Sequence, residues 1–163
     1  MAESPRSQRA RATPCASPSS AKSCSLRRAG ATFRATDDTY HLGWTLRMLG
    51  RDLVMQGRLE EAREALDEGL TNFARDDISA MLLFMSDHAA LSGVEGDHER
   101  QVRIVGAMQR MQRATGTDLV DYALNEPLGL EASLVALGDR AELVRAEGAA
   151  MDDDEAIRYA LGR

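Results

Sequence analysis

From about residue 37 onward, apolar residues recur at helical spacing. Leu42, Leu46, Leu49 and Leu53 follow at steps of four, three and four, which puts them on one face of a helix. Asp37 and Asp38 precede them, where carboxylates cap a helix start and suit its dipole. Gly57 follows, placed to end the helix in a left-handed turn. A second helix is predicted over Leu59–Ala74, with Leu59, Ala62, Leu66, Leu70 and Phe73 inward and Arg58, Glu61, Glu64, Asp67 and Glu68 in solvent. Two helices joined by so short a turn must lie antiparallel.

The unit recurs. Asp76 and Asp77 open a third helix with Ile78, Met81, Leu82, Met85 and Ala89 inward, and Gly96 closes it. Asp97 opens a fourth, striped by Val102, Val105, Met108 and Met111 and ended by Gly116. From Gly57 to Gly96 is 39 residues, inside the range of roughly 34 to 47 found for repeated helical hairpins. The last third is less regular. A short helical turn is expected over Asp118–Leu124, and Glu126-Pro127 marks a helix start. Leu128, Leu130, Leu134 and Leu137 follow as far as Gly138. Helices over Ala141–Gly148 and Asp152–Leu161 complete the chain, the last with Ala156, Ile157, Ala160 and Leu161 inward. Asp152 and Glu155 have the spacing of a capping box. This part is expected to cap the hairpins.

Residues 1–36 read differently. They are rich in Ser, Ala, Arg and Pro and are expected to form a disordered basic leader, with the helical domain over 37–163. The fold class is therefore all-α, as stacked antiparallel hairpins. An aromatic content of 4% requires a core of Leu, Ala, Met and Val, all but the last good helix formers.

The first hairpin resembles a tetratricopeptide repeat. Leu46, Leu49-Gly50, Leu53, Gly57, Ala62, Leu66 and Gly69 fall where that repeat places its large, small and turn residues. The second hairpin resembles a degenerate copy, with Ala89 and Gly96 in place but Ser92 and Gln101 departing from the pattern. Three further segments follow in order: Gly57-Arg58-Leu59-Glu60-Glu61-Ala62-Arg63; Ile104-Val105-Gly106-Ala107 with Ala114-Thr115-Gly116; and Ala146-Glu147-Gly148 with Asp154-Glu155-Ala156-Ile157 and Ala160-Leu161. Together they resemble the C-terminal helical region of bacterial regulators with a predicted ATPase core, such as LuxR-type and SARP-type transcriptional regulators and adenylate-cyclase-linked ATPases. The resemblance implies a region that senses a partner or ligand. The family's ATP and DNA functions carry over to no residue here. The chain has no G-x-x-x-x-G-K-[ST] loop, and its only lysine, Lys22, follows Ser-Ser-Ala.

Charge narrows the partners. The net charge is −6, but residues before Thr36 carry +6, which leaves −12 on the rest. So acidic a body argues against specific nucleic-acid binding, which needs clustered Lys and Arg. No apolar run reaches the length of a membrane span. Cys15 and Cys24, both in the leader, read as free thiols of a reducing compartment. Dominance of Arg over Lys fits a GC-rich bacterial genome. The expected location is the cytoplasm.

Candidate chemistry is sparse. His41, His88 and His98 lack metal-ligand spacing. The Asp152–Glu155 cluster fits a helix cap better than a calcium loop. No serine or cysteine sits in a nucleophile motif. Met81, Met85, Met108 and Met111 read as core, with an adaptable binding surface as the alternative. Tyr40, Trp44 and Met48 lie four residues apart on the first helix and form the candidate interaction surface; core packing is the equal alternative for Trp44. The expectation is a non-enzymatic interaction or regulatory module without catalytic residues, cofactor or metal. It would take a protein or peptide partner, with self-association possible. Alternatives are a small-molecule-sensing helical domain and a remnant of a longer LuxR-type regulator.

Overall fold

A computed structural model describes residues 18–72, 77–116 and 129–163. All regular structure among them is helical: α1 Pro18–Ala35, α2 Thr39–Met55, α3 Leu59–Asn72, α4 Ile78–Val94, α5 His98–Thr115, α6 Leu130–Leu137, a 3-10 turn Gly138–Arg140, α7 Ala141–Ala150 and α8 Asp153–Ala160. Successive helices pack as antiparallel pairs, α1 on α2, α2 on α3 and α4 on α5, and α6 and α7 both pack against α5.

The helix ends follow the sequence closely. Asp38, Asp77, Asp97 and Asp152 are N-caps, each accepting a hydrogen bond from the backbone N–H three residues on. Donation from His41 N–H holds the Asp38 carboxyl below the usual carboxylate range. Gly57 and Gly96 have φ of 71° and 80°. At the first turn, Gly57 N–H donates to Val54 O and Arg58 N–H to Leu53 O; at the second, Gly96 donates to Gly93 O and Asp97 to Ser92 O. Both turns have the crossed bonds of a Schellman motif, which a side chain at the left-handed position would strain.

The core has two connected parts. Leu42, Leu46, Leu49 and Leu53 of α2 join Ala62 and Leu66 of α3 in one. Met81, Met85, Met108 and Met111 lie in the other with Phe84, Ile104 and Ile157, so the methionine stripe is core and offers no binding surface. Small residues set the helix spacing. A Cβ on Gly50 would sit 2.5 Å from Leu66 Cγ, and one on Gly69 would sit 2.7 Å from Phe84 Cε1.

One expectation needs correction. The leader expected to be disordered over 1–36 contains α1, which packs on α2. Its apolar anchors are few: Leu26 and Phe33 rest against the core, and the Phe33 ring stacks on His41 at 5.4 Å. The rest of the attachment is polar. Buried Ser23 donates to Asp52, Gln56 donates to both, and Arg27 and Arg34 pair with Glu61 and Glu68 of α3. Such a helix gains its order from partners distant in sequence, which composition does not register. Residues 1–17 with Cys15, the inward role of Phe73, the helical turn over Asp118–Leu124 and the helix start at Glu126-Pro127 fall outside the described residues.

Candidate interaction face

The second helix presents two faces of opposite character. Its leucines are buried, while Tyr40, Met48 and Met55 are 56%, 50% and 77% exposed. Positions 40, 44, 48 and 55 share one side of the helix at 3.6 residues per turn. Trp44 divides its contacts. One side of the indole packs on fully buried Phe84, with centroids 6.2 Å apart, and Tyr40 meets it edge-on at 6.4 Å. Of the three expected surface residues, Tyr40 and Met48 are exposed and Trp44 is half-buried, tying the face to the core.

The sequence reading missed the rest of this face. Met55 lies two turns beyond Met48. Arg51 stands between them and Arg47 just before Met48, and α4 contributes the adjoining wall. Arg47 Nε lies 2.6 Å from an Asp87 carboxylate oxygen, and Arg51 Nη1 lies 3.6 Å from the other. The Arg47 guanidinium also sits 5.8 Å from the Trp44 ring centroid, within cation–π range. On the near side, Lys22 of α1 approaches Asp52 at 3.6 Å. Lys22, Arg47, Met48, Arg51, Asp52 and Met55 line an open groove of about 360 Å³. A deeper recess continues from Arg51 and Met55 to Val54, Leu66, Asp87 and Ala90. Val94, 45% exposed, lies seven residues past Asp87 on the same side of α4.

The charges in this groove are layered. Asp87 and Asp52 lie at the floor, their side chains 4% and 10% exposed, whereas Lys22 is 60% and Arg51 36% exposed. Asp87 holds the Arg47 side chain, 13% exposed, between the helices, while Lys22 and Arg51 face outward. The face therefore offers an apolar strip of methionines with the exposed charges of Lys22 and Arg51 along it.

Other candidates resolve into structure. His98 Nδ1 lies 2.8 Å from Ser133 Oγ, which donates to Gln101 Oε1 at 2.5 Å. The pairing looks like a base and a nucleophile, but Ser133 is fully buried on α6 and its proton is already committed. This bond instead fastens α6, whose only buried residue is that serine. His88 is also buried, 3.7 Å from Asp67. Burial lowers its pKa to about 4, with Arg100 and Arg63 nearby adding to the effect, so the ring is neutral at pH 7 and the contact is not an ion pair. Asp152–Glu155 is a helix start, as expected. Among the described residues, no cluster of His, Cys, Asp or Glu is arranged to hold a metal, and no helix is long and apolar enough to cross a membrane.

Comparison with known protein families, curated proteins and solved structures finds no match to this chain. The resemblance to bacterial regulators thus rests on the sequence motifs alone, beside an all-α architecture of sequential antiparallel helix pairs.

Proposed function

We propose that this chain is a non-enzymatic helical-repeat module of tetratricopeptide type, which binds a protein or peptide segment on the outward face of α2. The observation that carries this reading is the pairing of opposite faces on one helix. Leu42, Leu46, Leu49 and Leu53 anchor α2 in the core, while Tyr40, Met48 and Met55 are half or more exposed beside Arg51. Large exposed apolar residues gathered on one face, rather than scattered singly, mark interaction surfaces. The two Schellman turns 39 residues apart and the close approach at Gly50 support the repeat assignment. In this reading the chain corresponds to the sensory C-terminal part of an ATPase-type transcriptional regulator acting in the cytoplasm. A small-molecule pocket is less well supported, because the methionines that would line it fill the core.

The test compares the natural chain with a Met48→Asp/Met55→Asp double variant as bait in an extract of the source organism. Both positions are exposed, so both chains should melt alike. Polypeptides retained by the natural chain and lost by the variant support the reading. Equal retention by both overturns it.

A further inference from the structure

The α2 face has a chemistry that selects among partners. We infer that its occupant is an acidic amphipathic helix of another polypeptide, lying along α2 with apolar residues on Met48 and Met55 and carboxylates toward Arg51 and Lys22. This inference rests on the proposed role of that face and specifies its ligand.

Three observations carry it. First, Met48 and Met55 are seven residues apart, about 10.5 Å along the helix axis. A second helix packed alongside presents residues at the same two-turn interval, which is how helix-in-groove recognition is read. Ala90 of α4 lines the recess opposite Met55, together with Val54 and Leu66. Second, the sign of the outward charge is positive. The groove holds three cations and two carboxylates, and the carboxylates lie beneath, with Asp87 against Arg47 and Arg51, and Asp52 against Lys22, Ser23 and Gln56. This cationic strip is set in a body that carries −12 beyond residue 36. It is therefore the place where a negatively charged segment is attracted rather than repelled.

Third, the same sign argues against the alternatives. A second copy docking by this face about a two-fold axis would set the same cationic strip against itself, with Lys22 and Arg51 of each copy facing like charge. The residues before α1 carry Arg6, Arg9 and Arg11 and would meet like charge. Nucleic acid requires a broader cationic surface than two exposed side chains beside methionines, on a body of opposite charge.

The experiment uses the full chain and three synthetic helical peptides without tryptophan. One has leucines seven residues apart with glutamates between; the second replaces the glutamates by lysines; the third replaces the leucines of the first by serines. Trp44, the chain's one tryptophan, lies on this face and reports binding by fluorescence. Sedimentation equilibrium on the chain alone follows self-association. The glutamate–leucine peptide should bind, with at least ~10-fold loss for the lysine version and for Lys22→Gln/Arg51→Gln, and loss on raising salt, as charge steering requires. Met55→Asp and the serine peptide should abolish binding.

If the lysine peptide binds equally well and Met55→Asp abolishes it, the acidic partner is wrong and the face is still a docking site. If no peptide binds and the chain forms a dimer that Met55→Asp dissolves, the occupant is a second copy and the acidic helix is again wrong. If no peptide binds and the chain is a monomer, both the acidic helix and the docking role of α2 fall.

Discussion

Gly148 of α7 lies directly against the backbone of Arg103 on α5: a Cβ added there would overlap the Arg103 carbonyl oxygen and stand 2.7 Å from its carbon. The relationship is reciprocal, since a Cβ on Gly106 of α5 would overlap the Arg145 carbonyl of α7. The two helices thus meet backbone to backbone at a pair of glycines. Arg103 then reaches across to Glu147 at 2.5 Å and to the Tyr159 hydroxyl at 2.8 Å, and joins α8 to the same crossing. Those partners raise the Arg103 pKa, with Glu147 the larger cause.

This crossing predicts an order among glycine substitutions. Replacing a helical glycine by alanine ordinarily gains about 1 kcal/mol of helix propensity. Gly148→Ala and Gly106→Ala must move backbone, and overpacking costs about 1–3 kcal/mol or more, so both should be net destabilising. Gly50→Ala meets the Leu66 side chain at Cγ and Cδ2, with the nearest backbone atom, Ala62 O, at 3.4 Å, and should cost less because a side chain gives more readily than backbone. Urea unfolding of the three variants checks the order. A Gly148→Ala protein as stable as the natural one would show that α7 is not seated on α5 as described.

The attachment of α1 predicts an unusual sensitivity to salt. Arg27–Glu61 and Arg34–Glu68 are partly exposed pairs, each contributing about 0–1 kcal/mol and screened by ions. Leu26 and Phe33 add apolar anchorage. Hydrogen exchange at low salt and at about 1 M NaCl, where the screening length is near 3 Å, should show faster exchange for amides of α1 at high salt with α4 unchanged. Phe33→Ala should release α1 at any salt while leaving the α4–α5 pair folded. Uniform exchange changes throughout the chain would mean that α1 and the rest open together.

Most of this fold is legible in the sequence because its helices are punctuated by local chemistry. Asp38, Asp77, Asp97 and Asp152 cap, and Gly57 and Gly96 turn, through bonds to residues three to five positions away. The leucine stripe of α2 needs only helical arithmetic. What escapes is whatever depends on a distant partner. α1 has the composition of a loose leader until Asp52, Glu61 and Glu68 are placed beside it. Tyr40, Trp44 and Met48 can be read as one face, and helical spacing extends it to Met55, but the Arg47–Asp87 pairing joins them only when α4 is packed on α2. The surface position of Val135, 77% exposed, inverts the ordinary pattern and has no signal in a short apolar run such as α6.

That exposure leaves α6 held by partly buried Leu130 and by one buried hydroxyl. Ser133 is its only buried residue and bridges His98 and Gln101. Ser133→Ala removes a donor from Gln101 Oε1 and an acceptor from His98, a loss of about 1–3 kcal/mol for buried groups. The expected result is a lower unfolding midpoint together with faster amide exchange in α6 than in α5. Ser133→Thr keeps the hydroxyl but adds a methyl to a fully buried position, so it should not restore stability. A Ser133→Ala protein with undiminished protection of α6 would show that the bridge contributes little to its seating.

Buried His88 sets the response to acid. Its pKa falls from the ordinary 6.5 to about 4 on folding, because burial penalises the imidazolium most and the Arg100 and Arg63 charges add to it. The unfolded chain therefore binds the proton more readily. Stability from this group is fully present above pH 6.5 and is lost as pH falls from there toward 4, where the loss reaches roughly 3 kcal/mol. Asp67, facing His88 from α3, has a pKa raised by its own burial, so its protonation favours the folded state and partly offsets the loss at the acid end. Thermal melts of the natural chain at pH 7, 6, 5 and about 4 should show the midpoint falling through this window. His88→Gln keeps a polar side chain of similar size and cannot charge, so its melting temperature should be lower at pH 7 but flatter in pH. Equal pH slopes for the two proteins would assign the acid response to other groups.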